Sequence, residues 1–381
     1  MTETEEFGPY RLLSPLGYGP TDFTFLALDS SHAPCLIKRQ EPDQPSQRSR
    51  ILHEGRVIGT FDHPNVVALR DMGIIAGRPF LAMDYGHGVA LSELLEILKA
   101  RSERMPARVA VEASIQLLRG LHAVHEAKDP RGRPWTLFHG GLTPLNILMT
   151  SSGAVKLMEF GPLVDDGAAP DDSESAEMSY MPPERSKGVA DDRRSDLFSV
   201  GAMTYEMLTS IHPFTGEQGP RTRAAINAGP TPGAPSLTGW APVDLVLRKA
   251  LAPHPARRYP TASAMSDALR AALPRLPAAS VTLSEIIQAH FGERFDRLDR
   301  LIGSARRSPG ASRAPGMERS ESRAPAPDAR PLEDDPVDEE REGRRGAARF
   351  PLYAAAYLIL VALMVAAGFF VAAVIVRLGP G

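Results

Sequence analysis

Up to Tyr85 the apolar positions fall in short runs carrying β-branched and aromatic residues, among them DFTFLALD, APCLIKRQ, NVVALRDMGII and RPFLAMDYG. Runs of this length and make-up predict strands. From Leu91 the spacing becomes helical, in LSELLEILKA, RVAVEASIQLLRGLHAVHEA and SDLFSVGAMTYEMLT. Strands first and helices afterwards predict two lobes over residues 7–275 with a cleft between them. Next, TLSEIIQAHFGERFDRLDRLIG sets Leu283, Ile286, Ile287, His290, Phe291, Phe295, Leu298 and Leu301 near helical spacing. That predicts an amphipathic helix over 280–303, packed on the domain or on a partner. Residues 304–349 are rich in Pro, Ala, Ser and mixed charge with almost no large apolar side chain, the make-up of a disordered tether. Residues 352–376 carry no charge over 25 positions. As a helix they reach about 37 Å, enough for a hydrocarbon core of about 30 Å, so a single C-terminal transmembrane helix is expected.

Composition narrows the classes. With 43% hydrophobic and 23% charged residues the chain is ordinary for a globular protein, which excludes wholesale disorder and collagen-like repeats. One cysteine, Cys35, excludes a disulfide scaffold and a cysteine-rich zinc site. A net charge of −3 leaves no global basic field, so no nucleic-acid partner is expected. The first 25 residues open acidic and lack an unbroken apolar stretch, unlike a signal peptide. Arg341, Arg344, Arg345 and Arg349 precede the expected span and Arg377 alone follows it. The positive-inside rule then gives a single-pass protein of the cytoplasmic membrane with its N-terminal part in the cytoplasm.

Several short motifs fall in a fixed order: LGYGPTDF, CLIK, Glu54 nine residues before His63 of HPNVV, FHGGLTPLNILM, VKLMEFG, YMPPE, SDLFSVGAMTYEML and ARRYPTA. Together they resemble the eukaryotic-like (Hanks-type) Ser/Thr protein kinases in their bacterial branch, over nearly all of residues 7–275. The resemblance implies an α+β, bilobal protein-kinase-like fold, with an N-lobe antiparallel sheet plus one helix and a mainly helical C-lobe.

It also implies roles, position by position. Gly17 and Gly19 match the first two glycines of a phosphate-covering turn, while Asp22 stands at the third and sets negative charge near phosphate. The same Gly17-Tyr18-Gly19 reads equally as a plain hairpin turn. Lys38 matches the phosphate-holding lysine and Glu54 its helix partner; Met83 and Tyr85 complete the nucleotide-binding candidates. Leu36 stands where the family has alanine against the adenine ring, and its extra carbons fill part of that space. In the catalytic loop His139, Pro144 and Asn146 fix the register, which puts Gly141 at the place of the catalytic aspartate and Gly140 at that of the arginine that reads an activation-loop phosphate. No catalytic set is intact there. Thr143 is a small hydroxyl residue of the kind bacterial relatives with this lead-in carry. Glu159-Phe160-Gly161 replaces Asp-Phe-Gly, leaving Asn146 and Glu159 as weak metal candidates, and Glu159 reads equally as the end of a strand. Residues 161–180 carry six acidic side chains and no basic one, either a solvated loop or an attraction for a basic partner. Glu184, Asp196 and Arg258 match scaffold residues of the family.

The expected function is a membrane-anchored pseudokinase, a cytoplasmic signalling or regulatory module that binds a protein partner. Phosphotransfer is then lost or impaired, and ATP and Mg²⁺ are bound weakly at best. One alternative is an atypical, low-activity Ser/Thr kinase using Mg-ATP. A third reading is a scaffold working through the C-terminal helix and tether.

Overall fold

The structure, a computed structural model, describes residues 5–18, 22–40, 45–128, 131–135, 138–160, 180–187, 191–214 and 238–307. All of them belong to one compact unit. The N-lobe is an antiparallel sheet of six strands: β1 (Glu5–Phe7), β2 (Tyr10–Tyr18), β3 (Asp22–Leu28), β4 (Pro34–Gln40), β5 (Leu69–Ile75) and β6 (Arg78–Asp84), in the order β1-β2-β3-β4-β6-β5. One helix, α1 (Pro45–Ile58), lies against β4, β5 and β6. Alternation along β4 sorts its side chains. Cys35 and Ile37 enter an apolar cluster with Phe7, Tyr10 and Phe80, and Arg39 stacks over Phe7 and Phe25 on that face. Leu36 and Lys38 take the opposite face, where Leu36 meets Ile51 of α1 and Lys38 meets Glu54. A lysine is therefore buried for a reason of register, since a one-residue slip would turn it outward.

The C-lobe starts at β7 (Gly88–Ala90), which joins β8 (Ile147–Thr150) and β9 (Val155–Leu157) in a small antiparallel sheet. Its helices are α2 (Leu91–Ala100), α3 (Ala107–His125), α4 (Pro183–Ser186), α5 (Arg193–Thr209), α6 (Ala241–Ala250), α7 (Ala262–Ala272) and α8 (Leu283–Arg307). The helix α5 runs through the core, with residues 195–204 all buried, Ser195, Asp196, Ser199 and Thr204 included. Each of those polar side chains has hydrogen-bond partners, as burial requires. Asp192 caps the helix by accepting from the Arg194 amide at 2.7 Å.

Two boundaries differ from the sequence expectation. The sheet starts at Glu5, before residue 7, because the Glu5 carboxylate pairs with Arg39 and Arg78 and draws an acidic segment onto the sheet edge. Helix α8 continues through Arg307, so residues 304–307 are helical where a tether was expected from Ser304; Ile302 and Ala305 are buried against the N-lobe and hold that end in place. No helix among the described residues is long and apolar enough to cross a membrane. The expected span at 352–376 and residues 308–349 of the tether lie outside the described residues.

Candidate functional site in the cleft between the lobes

Sequence neighbours build each wall of the cleft. From the N-lobe, β4 projects Lys38 onto Glu54 of α1, Nζ to Oε2 3.0 Å, with both side chains at most 6% exposed. From the C-lobe, Glu159 follows β9 and brings Oε1 to 3.3 Å from the same ammonium. Glu159 sits at φ 59°, a left-handed conformation that costs a glutamate strain. One cation thus holds two carboxylates, one buried and one half-exposed. A nucleotide phosphate approaching this ammonium would meet the half-exposed Glu159 carboxylate beside it.

The family position for adenine is lined by apolar side chains. Leu36, Met83 and Leu148 are buried in one cluster that also takes in Leu16, Tyr85 and Met158 and so spans both lobes. Met83 lies opposite Leu36 in the β4–β6 ladder, and Tyr85 follows β6 with its hydroxyl buried and its phenol pushed up to about 12 by burial and then by the charge of Asp299. Gly17 lies in β2 opposite Thr24, and Asp22 opens β3 opposite Gln40. Gly19 lies outside the described residues.

The catalytic loop is braced from beneath. Asp196 of α5 accepts from the backbone amides of His139 at 2.8 Å and Gly140 at 3.0 Å, and lies 2.8 Å from His125 Nε2 at the end of α3. Burial alone would raise that carboxyl, yet the hydrogen bond and charge of His125 hold it below the usual range. His139 Nε2 meets the carbonyl of Met158 at 2.9 Å, and its ring leans on Phe160. The loop's left-handed residue is Gly140, at φ 76°.

Above the brace, the loop closes on itself. Asn146 donates to the carbonyl of Gly141 at 3.0 Å, and its amide oxygen accepts from the Thr143 amide at 3.0 Å and the Thr143 hydroxyl at 2.6 Å. An amide oxygen has two lone pairs, and both are taken. Thr143 is therefore the functional residue that sequence reasoning undervalued, and a hydroxyl three positions before an asparagine is the signal of a capping box. Gly141 contributes only backbone. With Asn146 turned inward and Glu159 held by Lys38, the oxygen donors that an octahedral Mg²⁺ needs do not fit the arrangement. Among the described residues there is no cluster of three or more His, Cys, Asp or Glu that would hold a metal.

Beside the loop a cavity of about 210 Å³ is lined by Leu95, Lys99, Pro144, Leu145, Tyr180 and Glu206. The Tyr180 hydroxyl donates to Glu206 at 2.5 Å, and burial raises the Glu206 carboxyl. Residues 161–179, the acidic segment, lie outside the described residues. Below, Arg258 makes a two-pronged contact with Glu184, 2.7 Å on each prong.

Two buried imidazoles contribute to the response to acid. Burial holds His139 below its usual value and pushes His212 down to about 4. Unfolded, both would titrate at about 6.5, so the unfolded chain binds more protons below that value. Stability is expected to fall as pH drops below about 6.5. Urea-unfolding midpoints at pH 7.5 and 5.5 measure it, and equal midpoints would contradict the assignment.

A family model described as a protein kinase domain matches residues 10–266. The chain is 30% identical over 312 residues to the tyrosine-protein kinase MasK of Myxococcus xanthus, covering 78% of this chain and 48% of that protein. It is 31% identical over 272 residues to the serine/threonine-protein kinase PknB of Mycobacterium tuberculosis, covering 67% of this chain and 41% of that one. The chain therefore spans less than half the length of these curated relatives. The crystal structure of the M. tuberculosis PknI kinase domain shares the fold, with a TM-score of 0.53 at 21% identity, over 71% of this chain and 99% of the other.

Proposed function

The chain belongs to the protein kinase family, and from that premise we propose that it is a pseudokinase, a regulatory binding module whose phosphotransfer is lost or severely impaired. One observation carries the reading. The scaffold beneath the catalytic loop is complete, while the groups that should face substrate and metal are absent or bonded to one another: Gly141 has no side chain, and the Asn146 oxygen is closed on Thr143. Decay without selection should have damaged Asp196 and the Glu184–Arg258 pair as readily. The cavity beside the loop offers a concave surface for a protein partner's side chain. Residues 352–376 would anchor the module in the cytoplasmic membrane with its lobes in the cytoplasm.

A second reading has its own support. The buried Lys38–Glu54 pair is formed at 3.0 Å, the arrangement an atypical low-activity kinase would use to hold phosphates. A thermal-shift titration of the full chain in detergent, with ATP and with or without Mg²⁺, separates the two. Ligand at 100 times its Kd adds about 2.7 kcal/mol, a rise of several degrees in Tm. The expected result is no Mg²⁺-dependent shift at millimolar ATP. A shift that needs Mg²⁺ and disappears in Lys38→Ala would replace the pseudokinase reading by the second one. For the third reading, a scaffold working through the C-terminal helix and tether, the apolar face of α8 is already buried on the protein's own lobes, which leaves its polar face and the tether as the surfaces to dock through.

A further inference from the structure

Helix α8 touches both lobes and the segment that joins them. At its start Leu283, Ile286, Ile287 and Phe291 are buried in the C-lobe core, and Arg294 pairs with Glu93 of α2 at 2.5 Å. Half-way along, it meets the lobe connection between β6 and β7. The ring of His87 stacks on Phe295 with centroids 5.2 Å apart, and its Nε2 lies 3.0 Å from Asp299 Oδ1. Tyr85 stands edge-on to His87, also at 5.2 Å. At its end Ile302 and Ala305 are buried against Leu13 of β2 and Leu26 and Leu28 of β3. Arg11 donates to the Ala305 carbonyl, and Arg306 Nε donates to the His32 carbonyl at 2.9 Å.

We propose that α8 is an interlobe splint that fixes the angle between the lobes without any nucleotide. Two lobes on one connection open and close about it, and the residues of that connection absorb the change in backbone angles. A continuous helix of 25 residues, about 37 Å long, kinks at a proline, a Gly/Ser pair or a bulge; this one has no proline, and its Gly303-Ser304 pair lies within the N-lobe seat rather than between the three contact sets. Opening the cleft must therefore break at least one of three contact sets: the C-lobe core, the His87 clamp or the N-lobe seat. The outward residues of α8, among them Glu285, Gln288, Glu293, Asp296 and Arg300, are exposed and polar, as in an internal brace. The splint would hold competent lobes as well as impaired ones, so it does not depend on the reading of the cleft.

The test uses the full chain in detergent, with Ile302→Glu and Ala305→Glu to unseat the N-lobe end. Hydrogen exchange read by mass spectrometry is expected to quicken about tenfold or more at residues 84–90, while α3 and α5 stay protected. Spin labels at Ile74→Cys and Leu245→Cys, both exposed positions, should show a broadened interlobe distance distribution; Cys35 is buried with its thiol pushed up to about 11 and does not compete. If the glutamates unfold the N-lobe, Leu298→Ala with Arg306→Ala loosens the same end and leaves the Leu13–Leu26–Leu28 core intact. Fast exchange over 298–307 with unchanged exchange at 84–90 and an unchanged distance distribution would overturn the proposal and leave α8 a passive appendage.

Discussion

The variant carrying Leu36→Ala, Gly141→Asp and Glu159→Asp is expected to transfer phosphate from Mg-ATP at least about 100-fold faster than the parent chain. A positioned base contributes about 10²- to 10⁴-fold, and Gly141→Asp restores only that contribution. Alone it should gain little, because phosphoryl transfer rests mainly on positioning and charge stabilisation around bound metal and phosphate. Glu159→Asp shortens the carboxylate that reaches Lys38 at 3.3 Å, which returns the lysine to the phosphates and draws the acid back towards the metal position. Leu36→Ala opens the cluster of Met83, Leu148 and Met158 where adenine would lie. The loop beneath needs no repair, since Asp196 already holds the amides of His139 and Gly140. Asn146 remains closed on Thr143, and adding Thr143→Ala should raise the rate further by releasing one of the two bonds on its oxygen, the one from the hydroxyl; the backbone amide keeps the other. Transfer to a generic substrate such as casein, measured by phosphate incorporation, reads the outcome. A parent that already transfers phosphate in a Lys38-dependent way would sink the pseudokinase reading, and a triple variant as inert as the parent would show that the loss lies elsewhere in the fold.

What could be read beforehand follows a physical line. The two lobes were legible because a change from runs to helical spacing is a local signal that survives without knowledge of the fold. Lys38, Glu54, Asp196 and Arg258 were legible through motif order, and Lys38 and Glu54 do meet. The helix α5 was legible in the spacing of SDLFSVGAMTYEMLT, but not its burial on every side, since the polar Ser195, Asp196, Ser199 and Thr204 read as an outward face until their partners are placed. For α8 the apolar stripe showed that a face is covered, yet spacing names a face and never the surface that covers it. That its covering is both lobes and His87 depends on contacts more than 200 residues apart in sequence, such as Arg294 with Glu93. The Lys38–Glu159 contact, 121 residues apart, was illegible for the same reason. Thr143 with Asn146 was local and readable, but a resemblance draws the eye to the missing aspartate and away from a hydroxyl that looks ordinary. At the sheet edge nothing local to Glu5 announces a strand, because the partners of its carboxylate, Arg39 and Arg78, lie far along the chain.

Replacing Arg258 by alanine is expected to cost about 3–5 kcal/mol of folding stability, because it leaves Glu184 as an uncompensated buried charge. The guanidinium is fully buried, grips both oxygens of Glu184 at 2.7 Å, donates to the carbonyls of Ala252 and Arg194, and lies 4.9 Å from the Phe198 ring centroid. Against a total stability of about 5–15 kcal/mol, that loss is enough to unfold a fraction of the population at growth temperature. Removing both charges by Glu184→Leu with Arg258→Met should cost clearly less than Arg258→Ala alone, since the pair's attraction offsets its desolvation poorly and apolar replacements of similar volume are often neutral. Acidity distinguishes the charge from mere packing. Burial raises the Glu184 carboxyl, but the hydrogen bond and charge of Arg258 more than offset it and hold the value below the ordinary range. A carboxyl lowered on folding stabilises above its unfolded value, about 4.3, and loses that contribution as pH falls through its folded value. Acid unfolding of the parent below about pH 4.3 should therefore be steeper than that of the double variant. Urea titrations at pH 7 and across pH 3–5 measure both effects. Equal slopes would show that the pair adds no charge-dependent stability, and a double variant as damaged as Arg258→Ala would place the cost in the lost carbonyl contacts. The pair holds the C-lobe in shape from beneath, a role that is the same whether or not the cleft above transfers phosphate.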